Sequence, residues 1–426
     1  MVPRVSKPAT ASRAALAFAI LAVLAGCGSS TRGGISGRAS ADPDLPPPVT
    51  VSNVCSSAVL DTLSQVAGRV YREGVSSERT ATALSFVARS IPLRVAVERD
   101  DPQAARAAAQ ALVATGHMTN LQVSRGGQVL ADIGGPRALA PLRGSILGAG
   151  GAPIGSFTTS VWADNGFIAE TNGITEGAAV LRENGQSIAG SFALPPGELP
   201  PQGALTVRGV AYRYTSFEAN AYPAGKLRVY LLRSIPSIAS LCGPTAMDTV
   251  VNTVSRIARL IYAGEAGRHA LTQVHRVQNN QPLLRAVARR DSAATKLVVE
   301  TLLHEHVVRL RVSAGGRLLS DVGGPYVLAP VSAPLRLNGR QIGNIVLSIQ
   351  DDEGYKRLAG RLAGLDVLIY MGSRLVKNSL GPAPGTVPDT GSYHYRGRTF
   401  RVFTLHAEAF PSGPLTIRVL VPIPYS

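Results

Sequence analysis

Apolar residues recur at every third or fourth position in two stretches of this chain, Val59, Leu63, Val66 and Val70, and again Val250, Val254, Ile257 and Ile261. That spacing sets them on one face of a helix. More helical sequence follows each stretch, ending in helices expected over 102–115 and 292–304, with Asp101 and Asp291 placed to cap them. The period then shortens toward two. Leu121-Gln122-Val123-Ser124, a Gly126-Gly127 turn and Gln128-Val129-Leu130 predict a hairpin, and residues 310–319 repeat it around Gly315-Gly316. Further strands are expected over 154–162, 178–183, 187–191, 210–218 and 226–232, with counterparts later in the chain. Hairpins this tight favour antiparallel pairing, and helices followed by such strands predict an α+β fold.

The two series are copies of one another. Residues 123–141 and 312–330 are identical at 12 of 19 positions without a gap, and both hold the phrase G-G-P followed by L-A-P. "IGSFTTSVWADNG" from Ile154 aligns with "IGNIVLSIQDDEG" from Ile342, and "YRYTSFEANAYPAG" from Tyr212 with "FRVFTLHAEAFPSG" from Phe400. The duplication divides the chain into residues 51–238 and 239–426. Asp132 and Asp321 precede the Gly-Gly-Pro runs and are expected to cap those turns through Asx hydrogen bonds. A loop kept this closely while neighbouring strands diverge reads as a structural joint.

Ahead of the copies, Arg4, Lys7 and Arg13 lead into an apolar run over 14–24 and then Leu24-Ala25-Gly26-Cys27. The run is short for a membrane span and reads as a signal peptide over 1–26. Its end resembles the lipobox of bacterial lipoproteins, which implies lipidation of Cys27 and an anchored, extracytoplasmic protein at the cell membrane. Residues 28–50 are rich in Gly, Ser and Pro and read as a flexible tether of roughly 70 to 80 Å when extended. No later apolar run approaches the roughly 18 residues of a membrane helix.

Two cysteines remain, Cys55 and Cys242, one opening each copy. An exported protein can bridge them, which would clamp the starts of two helices together. The net charge is +16, of which three basic groups belong to residues 1–26. So basic a body suits anionic lipid or an anionic wall polymer. Nucleic acid is disfavoured by the exported location and by the lack of a binding motif.

The phrases "DDPQAARAAAQALVATGHMTNLQVSRGGQVLAD" and "RDSAATKLVVETLLHEHVVRLRVSAGGRLLSD", with the strands after them, resemble the Cache family of extracellular sensor domains. The resemblance implies two tandem PAS-like domains, each an N-terminal helical segment and a central antiparallel sheet. It also implies a small-molecule ligand, often a carboxylate or amino acid, between the sheet and its covering loops. Family members that bind citrate and dicarboxylates carry basic residues after the central hairpin. Asp132 and Asp321 stand there instead, so that specificity does not transfer.

Pocket candidates are polar and aromatic residues on the predicted strands and the turns beside them: Trp162, Asp164, Arg182 and Tyr214 in the first copy, Tyr355, Tyr370 and His406 in the second. Arg182 and Tyr370 occupy equivalent positions, so two ligands would differ. Catalytic signals are thin. His304-Glu305-His306 does not share a helix face, Asp351-Asp352-Glu353 reads as a solvated loop, and no Gly-x-Ser-x-Gly elbow or dinucleotide fingerprint occurs. The expectation is a binding protein with no enzymatic activity, metal or cofactor, passing its bound state to a membrane receptor or other envelope partner. The alternative is a structural or adaptor lipoprotein that holds wall polymer or another protein.

Overall fold

Ser52 accepts the backbone N–H of Cys55 and starts α1 (Asn53–Glu73), whose buried stripe is Cys55, Val59, Leu63, Val66 and Val70. The structure is a computed structural model and describes residues 51–425 except 136, 265–266, 304–306 and 411–412. The signal peptide, Cys27, the tether and His304 to His306 therefore lie outside the described residues. None of the described helices is long and apolar enough to cross a membrane.

After α1 come α2 (Glu78–Arg89), α3 (Ile91–Glu98) and α4 (Pro102–Ala114). Ser90 both ends α2 and caps α3, and Asp101 accepts the N–H groups of Gln103 and Ala104 at the head of α4, both at 3.0 Å. The strands β1 (Asn120–Arg125), β2 (Gln128–Gly134), β3 (Ala138–Leu139), β4 (Leu142–Leu147), β5 (Pro153–Ser160) and β6 (Trp162–Ala163) lead into α5 (Asp164–Thr175). Then follow β7 (Ala178–Glu183), β8 (Gln186–Gly190), β9 (Gln202–Val207), β10 (Val210–Asn220), β11 (Lys226–Ser234) and the short α6 (Ile235–Ala239).

The second copy repeats this order. It comprises α7 (Ala246–Gly264), α8 (Arg268–Gln278), α9 (Gln281–Ala288) and α10 (Ser292–Leu303), with Asp291 accepting the Ala294 N–H as expected. Its strands begin with β12 (Arg309–Ala314), β13 (Arg317–Gly323), β14 (Val327–Leu328), β15 (Val331–Leu337), β16 (Arg340–Ser348) and β17 (Gln350–Asp351). They continue after α11 (Asp352–Ala363) with β18 (Asp366–Met371), β19 (Arg374–Asn378), β20 (Gly391–Tyr395), β21 (Arg398–Phe410) and β22 (Gly413–Ile423).

Each copy holds two main antiparallel sheets, where the sequence suggests one. The first is β2-β1-β5-β4, repeated as β13-β12-β16-β15; the second is β8-β7-β11-β10-β9, repeated as β19-β18-β22-β21 with β20 on β21. In the first copy β3 and β6 form a two-stranded sheet of their own, whereas their counterparts β14 and β17 extend the second sheet of the second copy beyond β21. Each first sheet packs one face on its own helices. Leu121, Val123 and Phe157 meet Leu93, Val97 and Leu112 in one copy, and Leu310, Val312 and Ile345 meet Leu283, Val287 and Val299 in the other.

The second sheets share a single core. Val59, Leu63 and Val66 of α1, Val254, Ile257 and Ile261 of α7, Phe167 of α5 and Tyr355 of α11 pack together between Leu181 and Val229 on one sheet and Val367, Ile417 and Val419 on the other. The described residues accordingly form one compact unit. Cys55 and Cys242 are bridged as the sequence suggested, with Cα atoms 5.6 Å apart, tying the start of α1 to the loop before α7.

Ion pairs cross between the copies as well. Arg256 of α7 pairs with Glu176, which also takes Arg233 at 3.4 Å, and Arg361 Nε donates to Glu73 at 3.0 Å. The pseudo-symmetric partner of Arg256 is Arg69. It lies against Gly364, where a glutamate would stand if the copies matched, and donates instead to the Tyr425 hydroxyl at 3.0 Å.

The doubled phrase is the joint between the two sheets of a copy. Gly134 and Gly323 have φ of 129° and 132°, and a Cβ on either would collide with the backbone oxygen of Thr119 or Val308. The chain then reaches Leu139 or Leu328, which touches the second sheet through Ala221 or β21, before returning to the first as β4 or β15. Ser160 and Ser348 fix the crossing by donating to the carbonyls of Leu139 and Leu328.

The Asx caps expected at Asp132 and Asp321 do not form, because both residues lie within strands, opposite Gln122 and Arg311. Asp132 accepts from Gln122 at 3.0 Å. Asp321 accepts from Arg309 at 2.8 Å and from Arg311 at 2.7 Å. Both arginines stand over the Phe410 ring, 5.5 and 4.6 Å from its centroid.

Candidate ligand-binding site

Arg182 faces away from α1, on the side of its sheet occupied by Val180, Tyr214 and Tyr230. It is 3 % exposed, and its Nη2 donates to the carbonyls of Gly185, Pro195 (2.9 Å) and Gly197 (2.7 Å), fastening the loop between β8 and β9. Among the described residues Nε and Nη1 have no hydrogen-bond partner. Arg182 also lines a cavity of about 150 Å³ with Glu198, Glu218, Lys226 and Arg228. Glu218 already takes Arg228 at 3.2 Å and Lys226 at 4.0 Å, so this small space is largely self-neutralised.

The other first-copy candidates do not join Arg182 in a pocket. Tyr214 is 2 % exposed with its ring 5.8 Å from that of Tyr230, and burial pushes its hydroxyl up. It packs beside Arg182 as core. Trp162 lies across the sheet, donating from Nε1 to the Val70 carbonyl at 3.2 Å and meeting Phe167 edge-on, which holds the end of α1. Asp164 begins α5 and accepts the Asn165 N–H.

In the second copy Tyr355 is fully buried on α11, donating to the Ala258 carbonyl of α7 at 3.2 Å, and burial pushes its hydroxyl up. Tyr370 and His406 fall in one cross-strand row with Thr416 between them, equivalent to the row Arg182, Arg228 and Glu218. His406 is exposed, and Tyr370 lies under the Arg418 guanidinium. Asp351 caps α11 by accepting the Gly354 N–H at 2.7 Å, so the acidic triplet opens a helix where a loop was expected. Among the described residues no group of three His, Cys, Asp or Glu side chains could hold a metal ion.

A larger cavity, of about 550 Å³, lies in the second copy at a place the sequence reading did not single out. Its walls are Leu303, Val307, Val308 and Ile349, with His269, Thr272 and Gln273 from one face of α8. A mostly apolar space of this size with a few polar groups has the make-up of a small-molecule site. Gln273 Oε1 is buried without a hydrogen-bond partner among the described residues. Burial pushes the carboxyl of Glu170, on α5 of the first copy, upward, and the nearby charge of His269 works against that shift.

The same place in the first copy is filled. Met118 stands where the second copy has Val307, Ala83 where it has Gln273 and Val161 where it has Ile349, and all three are buried in the core. The smaller Val307 leaves room, and Gln273 brings an amide into it. Aligning the two copies position by position holds this signal; attention to charged and aromatic strand residues missed it.

No family model matches this chain, and no curated protein matches it in sequence. Solved structures are similar in part, among them the following two. The periplasmic domain of LuxQ from Vibrio cholerae aligns over 42 % of this chain and 98 % of its own length, at 11 % identity and a TM-score of 0.24. An extracellular ligand binding receptor from Desulfohalobium retbaense aligns over 39 % of this chain and 40 % of its own, at 10 % identity and a TM-score of 0.20.

Proposed function

We propose that this protein is an extracytoplasmic binding protein of the sensor type, lipid-anchored at Cys27. On this reading its Cache-like second copy takes a small solute into the cavity beside Val307 and passes the bound state to a membrane or envelope partner. The observation that carries the reading is the difference between the copies: one fold, written twice, holds about 550 Å³ of space in one copy and a packed core in the other. Gln273 Oε1, with no hydrogen-bond partner among the described residues, offers an acceptor to a donor on the solute. The signal-peptide and lipobox residues support the location. Binding rather than catalysis is favoured because, among the described residues, no nucleophile, base or metal set recurs in both copies.

The test is a thermal-shift screen of residues 49–426 against amino acids, polyamines, nucleosides and carboxylates. A solute at a hundred times its Kd stabilises the fold by about 2.7 kcal/mol. Val307→Met, which restores the first copy's residue, is expected to abolish that shift while leaving the ligand-free melting temperature equal or higher. A wild-type response in this variant would exclude the cavity. Stabilisation by anionic polymers alone would replace the sensor reading with that of an adaptor lipoprotein. Separately, Cys27→Ala is expected to move the protein out of the membrane fraction.

A further inference from the structure

The copies differ in charge, and the difference is concentrated. Residues 239–426 hold 22 Lys and Arg against 12 Asp and Glu, whereas residues 51–238 hold 16 against 13. In the second copy Arg285 and Arg289 stand four residues apart on one face at the end of α9, both exposed. Arg290 follows in left-handed backbone at φ 55°, and its guanidinium lies over the β12–β13 turn, 3.3 Å from where a Cβ on Gly315 would be. Arg317 leaves that turn, exposed, with Leu318 beside it 51 % exposed. None of these four arginines forms an ion pair among the described residues. The nearest carboxylate in sequence, Asp291, is engaged in capping α10.

The first copy has the same corner with the opposite arrangement. Asp100 occupies the left-handed position of Arg290, at φ 57°, and Gln128 that of Arg317. Arg125 turns back onto Asp100 at 3.9 Å and donates to the carbonyls of Val97 and Glu98. The fold thus tolerates a largely neutralised corner: Val95, Asp100 and Gln128 stand where the second copy has Arg285, Arg290 and Arg317, and only Arg289 is matched, by Arg99, so three of the four arginines are not needed to build it.

We propose that this corner of the second copy docks on an anionic phospholipid surface, with Arg285, Arg289, Arg290 and Arg317 on lipid phosphates and Leu318 in the headgroup layer. Guanidinium groups pair with phosphate through two parallel hydrogen bonds. A soluble polyanion would satisfy the arginines and leave Leu318 in water, whereas a lipid interface accommodates both. The proposal is independent of the solute cavity, which is lined by other residues.

Residues 49–426, the compact unit carrying every described element, would be sedimented with vesicles of phosphatidylcholine alone or mixed with phosphatidylglycerol. Binding is expected only to the anionic vesicles and to fall as salt rises. Arg290→Asp with Arg317→Gln places first-copy residues on the same backbone, so folding is expected to survive, as the intact Cys55–Cys242 bridge would verify. Each positive charge lost weakens surface binding roughly fivefold, so the pair is expected to cost about 25-fold or more. Leu318→Ser is expected to weaken vesicle binding while leaving retention on soluble polyphosphate unchanged, and Arg99→Gln in the first copy to change neither. Equal vesicle binding by the double variant, or retention on polyphosphate with none on anionic vesicles, would overturn the assignment.

Discussion

The guanidinium of Arg182 stands over the ring of Tyr230, 5.6 Å from its centroid, on neighbouring strands of the first copy. At the equivalent diagonal of the second copy the roles are exchanged: Tyr370 is on the strand that carried the arginine, and Arg418 lies over it at 4.6 Å. Both copies keep a cation on an aromatic face, a contact that gains from a partly desolvated setting. The exchange explains how the position can diverge without disturbing the sheet, and it gives Arg182 a scaffold role through the carbonyls it holds.

Arg182→Ala should therefore lower stability, because the carbonyls of Gly185, Pro195 and Gly197 lose a charged donor. A cost of roughly 2–3 kcal/mol is expected by urea denaturation. The response of Val307 cavity ligands should be unchanged, which a direct role for Arg182 in binding them would not allow.

Reduction of the Cys55–Cys242 bridge, or Cys55→Ser with Cys242→Ser, frees a loop spanning 187 residues. The expected loss is about 2–4 kcal/mol. Denaturation with and without reductant checks it, and the double variant should be indifferent to reductant.

Burial pushes the Asp321 carboxyl up, but the hydrogen bonds and charges of Arg309 and Arg311 together outweigh burial and hold it below its ordinary value. A carboxyl lowered in the folded state contributes stability that is present above its unfolded pKa, about 3.9, and lost as pH falls through the folded value. Asp321→Asn is thus expected to destabilise the protein at pH 7, with a difference from wild type that shrinks below about pH 4. A gap between the two melting curves that stays constant down to pH 2.5 would show that the arginine pairing is not its source.

Much of the fold was legible in the chain. The stripe from Val59 to Val70 sets a helix face by spacing alone, and Asp101 and Asp291 mark helix starts because short carboxylates cap exposed N–H groups. The bridge between Cys55 and Cys242 followed from matching positions in two copies. The helix α5 was not legible: its sequence "DNGFIAETNGIT" carries two glycines and weak helix formers, and it is held by the packing of Phe167, Thr171 and Ile174. The caps expected at Asp132 and Asp321 failed because β2 and β13 run on to Gly134 and Gly323, which keeps both carboxylates in the hairpin opposite Gln122 and Arg311.

The sequence by itself determined the duplication, the order of helices and hairpins and the disulfide partners, since each depends on local spacing or on direct comparison of the copies. Only the tertiary structure decided that each copy splits into two sheets and that the second sheets share one core. It also decided that Trp162, Tyr214 and Tyr355 are packing residues and that space opens beside Val307. Burial and cavity volume depend on which side chains meet from distant segments, and no single stretch of chain carries that information.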